Sequence, residues 1–106
     1  MKLLTEAQFQ SQIVSLGRLY GWRIHAERPA MMRSGKWSTP IQGDVGWVDL
    51  VLLKDKRLIF WELKSTTGRL SEEQKQWLDM LSNVPNVLAE CVYPSDWEHI
   101  QRVLTE

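Results

Sequence analysis

The stretch that decides the fold is WVDLVLLKDKRLIFWELKS, Trp47 to Ser65. Two runs rich in β-branched, aromatic and aliphatic residues flank the short polar turn Lys54-Asp55-Lys56, the pattern of a β-hairpin. With the turn centred on Asp55 and Lys56, Lys54 pairs with Arg57, and paired residue numbers sum to 111, which sets Asp49 opposite Glu62. Directly opposed side chains on one face of a hairpin stand about 4.5–5.5 Å apart at Cβ, so two carboxylates share one small volume. Lys64 lies two residues beyond Glu62 and so on the same face. The other face carries Leu50, Leu52, Ile59, Trp61 and Leu63 and is wholly apolar. A one-residue slip would drive the charges into that apolar side, so the register is strongly specified.

Like charges at this separation raise each other's pKa unless a cation bridges them. Oxygen donors without Cys or paired His select Mg²⁺ or Mn²⁺ over zinc. An ion held by two carboxylates keeps sites for water and for phosphate oxygens, and Lys64 beside it is placed to orient the water and offset developing charge. The set suits phosphodiester hydrolysis. Taken alone, Glu62 and Lys64 would fit a solvated strand face equally well; the opposed Asp49 and the apolar run around them carry the chemical reading.

Outward from the hairpin, TEAQFQSQIVSLGRLYG reads as a helix, with Thr5 and Gln8 forming a capping-box pair and Gly21 a stop. Its apolar residues Phe9, Ile13, Leu16 and Tyr20 form a stripe whose backward extension lands on Glu6, at the edge of the inward face; helix-dipole preference for first-turn acids accounts for Glu6 as well. WRIHAE alternates as a half-buried strand. Residues 29–46 hold two prolines and three glycines with no period, a connection whose length points to function or mobility. RLSEEQKQWLDMLSN is a second helix with a Ser71–Gln74 capping box and Trp77, Leu78 and Leu81 inward; NVLAECVY is a fourth strand, and SDWEHIQRVL a closing helix capped by Ser95 or Asp96. The order is αβββαβα: an α/β domain with a mixed central sheet of about four strands flanked by helices.

Its 106 residues make one domain, 1–106, with room for one active site. No apolar run reaches the ~18 residues of a membrane span. MKLLTEAQFQ turns polar too early for a signal peptide, and the lone Cys91 forms no internal disulfide, so the expected location is the cytoplasm. Neither Cys91 nor the distant pair His25 and His99 offers zinc-ligand spacing. Formal net charge is zero, so a polyanion must be met by a local patch. Arg23, Arg28, Arg33 and Lys36 supply one, against the single acid Glu27, with Arg69 and Lys75 as further candidates. Of the six tryptophans, Trp61 and Trp77 read as core, whereas Trp37 and Trp47 in the long connection either stack on bases or pin the loop.

Asp49 on one strand and Glu62-Leu63-Lys64 on the next resemble the signature of the PD-(D/E)XK nucleases, an acid followed by (D/E)xK. Within that superfamily TEAQFQ, GWRIHAERP, GDVGWVDLVLL, FWELKSTTGRLSEEQKQWLDML and YPSDWEHI resemble the VRR-NUC (virus-type replication-repair nuclease) domain in its small standalone form, over nearly the full length. Family members usually carry GxPDL where this chain has GWVDL, with Val48 in place of proline. The resemblance implies a restriction-endonuclease-like core. It also implies that Asp49, Glu62 and the main-chain carbonyl of Leu63 hold Mg²⁺ or Mn²⁺, that Lys64 assists the attacking water, and that Glu6 completes the acidic cluster. Gln74 is similar to the glutamine that follows the ExK strand in many relatives, which implies that it steadies a ligand or contacts DNA; its capping role is an adequate structural explanation. The standalone members imply a homodimer resolving four-way (Holliday) DNA junctions in a phage or bacterial setting. Nucleases for flaps, ends or other DNA forms, and a noncatalytic DNA-binding adaptor, are the alternatives.

Overall fold

The computed structural model describes residues 4–27, 30–31, 37–38 and 42–106. Its elements run α1 (Glu6–Leu19), β1 (Arg23–Ala26), β2 (Ala30–Met31), β3 (Trp37–Ser38), β4 (Leu50–Lys54), β5 (Arg57–Leu63), α2 (Glu72–Ser82), β6 (Val87–Val92), a 3₁₀ turn (Pro94–Asp96) and α3 (Trp97–Thr105). Four strands form the central sheet in the order β1-β4-β5-β6. The β1–β4 and β4–β5 pairs are antiparallel and β5–β6 is parallel, so the sheet is mixed, with α2 as the crossover.

The hairpin forms with the expected register, Leu50 opposite Trp61 and Lys54 opposite Arg57. Asp55 takes a left-handed conformation (φ 53°) in the two-residue turn, which short-side-chain Asp tolerates. Both capping boxes are present: Thr5 with Gln8 opens α1, and Ser71 with Gln74 opens α2.

Two departures from the sequence reading follow from weak local signals. The connection between β1 and β4 holds a second, two-stranded sheet, Ala30 paired with Ser38 and Met31 with Trp37, too short to leave a period-two pattern. At the C-terminal end Asp96 takes the N-cap position of α3, as expected, but its side chain makes no capping bond there. Asp96 Oδ2 instead accepts the Tyr93 N–H (2.8 Å), so this side chain closes the 3₁₀ turn that precedes the helix.

Strand alternation divides the sheet between two cores. Phe9 and Ile13 of α1, Ile100 and Leu104 of α3, and Leu50, Leu52, Ile59, Trp61, Leu63 and Val92 of the strands bury one face. Leu78 and Leu81 of α2 cover the other, on Val51, Leu58, Phe60, Val87 and Ala89. Helices therefore flank both faces. A fully buried large apolar side chain contributes about 1.5–3 kcal/mol, so Trp61 and Leu63, on either side of Glu62 in the chain, offset much of the cost of burying that acid. Arg57 ties the sheet to the last turn of α3 by donating to Val103 O and Glu106 O, both at 2.6 Å, while stacking 4.8 Å over the Trp22 ring.

Candidate active site

Asp49 sits one residue before β4, at the end of the hairpin away from the turn. Beyond the Leu50–Trp61 pair the ladder gives way to a side chain: Asp49 Oδ2 accepts the Leu63 N–H at 2.8 Å. The Asp49 carbonyl meanwhile accepts from the Glu27 N–H at 3.2 Å, on the β1 side. The carboxylate is thus fixed on the β5 side. In an extended strand a residue's N–H and C=O point the same way, so the Leu63 carbonyl also faces Asp49.

Glu62 points from β5 into the space under α2. Its side chain is 3% exposed, against 15% for Lys64, whose Nζ lies 3.7 Å from Glu62 Oε1. That oxygen also accepts from Gln74 Nε2 at 3.0 Å. Gln74 is able to reach it because its backbone is held by the capping box: its N–H is bonded to Ser71 Oγ and its Oε1 to the Ser71 N–H. One side chain therefore fixes both the start of α2 and the orientation of Glu62.

The other oxygen, Glu62 Oε2, is buried with no hydrogen-bond partner among the described residues. Burial is the main cause that pushes the Glu62 pKa up to about 9; the adjacent Asp49 carboxylate adds to it, Lys64 opposes it, and Glu6 contributes a weak repulsion. Without a cation, burial and the neighbouring Asp49 favour the neutral Glu62 carboxyl at neutral pH. With one, the orphaned oxygen has a partner and the repulsion becomes attraction. An acceptor oxygen buried beside a second carboxylate fits a hard cation, and no hydrogen bond among the described residues replaces it.

The structure brings Asp49, Glu62, Leu63, Lys64 and Gln74 together. Glu6, in the first turn of α1, is exposed rather than inward-facing, and acts on Glu62 only through its charge. Among the described residues no group of three or more His, Cys, Asp or Glu side chains is arranged to hold a metal, so the donors assembled are two carboxylates and a main-chain carbonyl. Arg23 on β1 and Arg69 in the loop after β5 are exposed; Arg28, Arg33 and Lys36 lie outside the described residues. Trp47 packs edge-on against Trp77 (4.7 Å between centroids) and Phe60 (5.5 Å), and so pins its loop. Trp77 is half-buried rather than core, its indole donating to Val45 O at 2.9 Å.

Two features had no signal in the local pattern. Gly46, at φ 94°, brings the segment before Asp49 so close to α2 that an added Cβ would stand 2.7 Å from Glu73 C and 2.9 Å from Gln74 N. Val48, where proline was expected, is 2% exposed and packs with Phe60 and Leu78. The second feature is Cys91, which stands beside Glu62 in the parallel β5–β6 register. Its thiol pKa is pushed up by burial and by Glu62, against the lowering effect of Tyr93 and Lys64, so it is a protonated neighbour and not a thiolate ligand.

Residues 31–95, more than half of the chain, match the family model of the VRR-NUC domain. The chain belongs to the VRR-NUC family. The matched residues contain the whole Asp49–Glu62–Lys64 constellation and Gln74, and leave α1 with Glu6 outside. No curated protein and no solved structure matches the chain. Membership makes this VRR-NUC chain a nuclease of the PD-(D/E)XK type acting on DNA, a class that generally uses divalent metals. No described helix is long and apolar enough to cross a membrane.

Proposed function

We propose that this protein is a Mg²⁺- or Mn²⁺-dependent endonuclease that cuts branched DNA, four-way junctions above all, as a homodimer. The observation that carries the metal dependence is the buried Glu62 Oε2 next to Asp49, unpartnered among the described residues. Asp49, Glu62 and the Leu63 carbonyl would hold the ion, which when bound supplies Lewis-acid polarisation of the scissile phosphate and of water. Gln74 holds Glu62 Oε1 and so leaves Oε2 for the ion. Lys64 presents an ammonium at the mouth of the site, where it orients the attacking water and offsets charge on the phosphoryl oxygens. A bond forms from the water oxygen to phosphorus as the bond to the 3′ oxygen breaks; the water gives up a proton to solvent and the leaving oxygen takes one up from it. Arg23 and Arg69, with Arg28, Arg33 and Lys36, would grip flanking phosphates.

The domain comprises residues 1–106 in this reading, because α1 and α3 share one core with the matched strands. One such domain offers a single cutting site, so paired incisions across a junction need two copies related by a two-fold axis. Retention of a charge cluster that is costly to bury argues against a noncatalytic adaptor.

The test is incubation of labelled four-way junction, flap and linear duplex with Mg²⁺ or Mn²⁺, using wild type, Glu62→Ala and Lys64→Ala. Metal-dependent cutting of the junction by wild type alone is expected. Binding without cutting would refute the enzyme, and equal cutting of all three substrates would refute the junction preference.

A further inference from the structure

We infer that Tyr93 is a positioning residue for Lys64, acting through Gly68. The inference rests on the catalytic reading of Lys64 given above. Lysine carries a flexible four-carbon stem with about 2 kcal/mol of rotamer entropy, so an ammonium that must stand at one point needs its stem held. Here the chain after β5 folds back to hold it. Gly68 N–H donates to Ser65 O at 3.1 Å, closing a tight turn directly after Lys64. That turn lays Gly68 on the lysine stem so closely that an added Cβ would stand 3.2 Å from Lys64 Cδ and 3.3 Å from its Cβ. The Tyr93 hydroxyl donates to Gly68 O (3.3 Å) and ties the turn to the strand end on the other side of β5.

Tyr93 is itself anchored. Its N–H is bonded to Asp96 Oδ2 at 2.8 Å, and the preceding carbonyl, Val92 O, accepts the Lys64 N–H at 3.2 Å. Lys64 is thus gripped twice from one short segment: at its backbone by Val92 and at its stem by Gly68 under the Tyr93 hydroxyl. Glu62 alone, 3.7 Å away, is too loose a contact to fix the ammonium. Tyr93 needs no contact with DNA or metal for this role, and its hydroxyl matters only through where it puts Gly68.

The experiment is steady-state cleavage of the junction substrate by Tyr93→Phe, Gly68→Ala and Lys64→Ala, with thermal unfolding of each. Tyr93→Phe keeps the ring and loses only the hydroxyl; Gly68→Ala pushes on the lysine stem without touching Tyr93. Misplacing a catalytic group by about 1 Å costs up to about a hundredfold, so both are expected to lower kcat between about tenfold and a hundredfold with KM unchanged. A Tyr93→Phe enzyme with wild-type kcat beside a crippled Lys64→Ala would overturn the inference alone. So would a rise in KM at constant kcat, which would make the hydroxyl a substrate contact. Wild-type cleavage by Lys64→Ala would refute the catalytic reading of Lys64, and the inference with it.

Discussion

Replacing Glu62 by glutamine should make the metal-free protein more stable at neutral and alkaline pH while abolishing cleavage. The group's pKa is 4.5 when unperturbed and about 9 in the fold. A raised folded pKa means that its contribution to stability is intact below the unfolded value and is lost as pH rises toward the folded one. At pH 7.5 the group stands three units above 4.5, and at 1.36 kcal/mol per unit the folded state has lost roughly 4 kcal/mol on this account. Glutamine has the same shape and does not ionise, so it escapes the loss. In the metal-free fold Glu62 is already neutral at this pH, so Lys64 has no ion pair to lose in the variant and the gain stays at about 4 kcal/mol. For a domain of this size that is a rise of roughly 15 °C or more in Tm.

At pH 5 the same arithmetic leaves under about 1 kcal/mol, and the two proteins should melt together. The assay is thermal unfolding of wild type and Glu62→Gln in chelator between pH 5 and 8.5. A difference that does not grow with pH, or a variant less stable at pH 8, would refute the account of Glu62 as a buried, repelled carboxyl. Adding Mg²⁺ or Mn²⁺ should raise the Tm of wild type and not of the variant.

Asp49→Asn retains an oxygen able to accept the Leu63 N–H, so it should fold and bind DNA as wild type does, yet show no detectable metal-dependent cleavage of labelled substrate. Gly46→Ala meets α2 backbone at 2.7–2.9 Å from a residue at φ 94°, and should lose about 2–4 kcal/mol in urea unfolding. Gln74→Ala removes both the capping-box return and the bond to Glu62; about 1–2 kcal/mol of stability and roughly tenfold in cleavage rate should go together.

The hairpin was legible because a two-residue turn and strict alternation leave one register, and that register alone set Asp49 against Glu62. The helix starts were legible for a similar reason, since Thr5–Gln8 and Ser71–Gln74 act within four residues. What escaped depends on contacts between segments far apart in the chain. That Gln74 reaches across to Glu62, that Gly46 lies on α2, and that Cys91 neighbours Glu62 all follow from how α2 crosses the sheet and where β6 docks, which no local period encodes. The exposure of Glu6 has the same origin: its stripe position was read correctly along the helix, but the first turn of α1 stands clear of the core.

The parallel docking of β6 also orders events in time. Asp49 and Glu62 belong to one hairpin closed by two residues, a contact of short sequence separation that forms fast, whereas the Val92 carbonyl that holds Lys64 is reached only after the whole α2 crossover is laid down. The repelling pair therefore comes together before its lysine is anchored. A divalent cation present during refolding should act on that early step, as a faster folding rate and not only as a slower unfolding one.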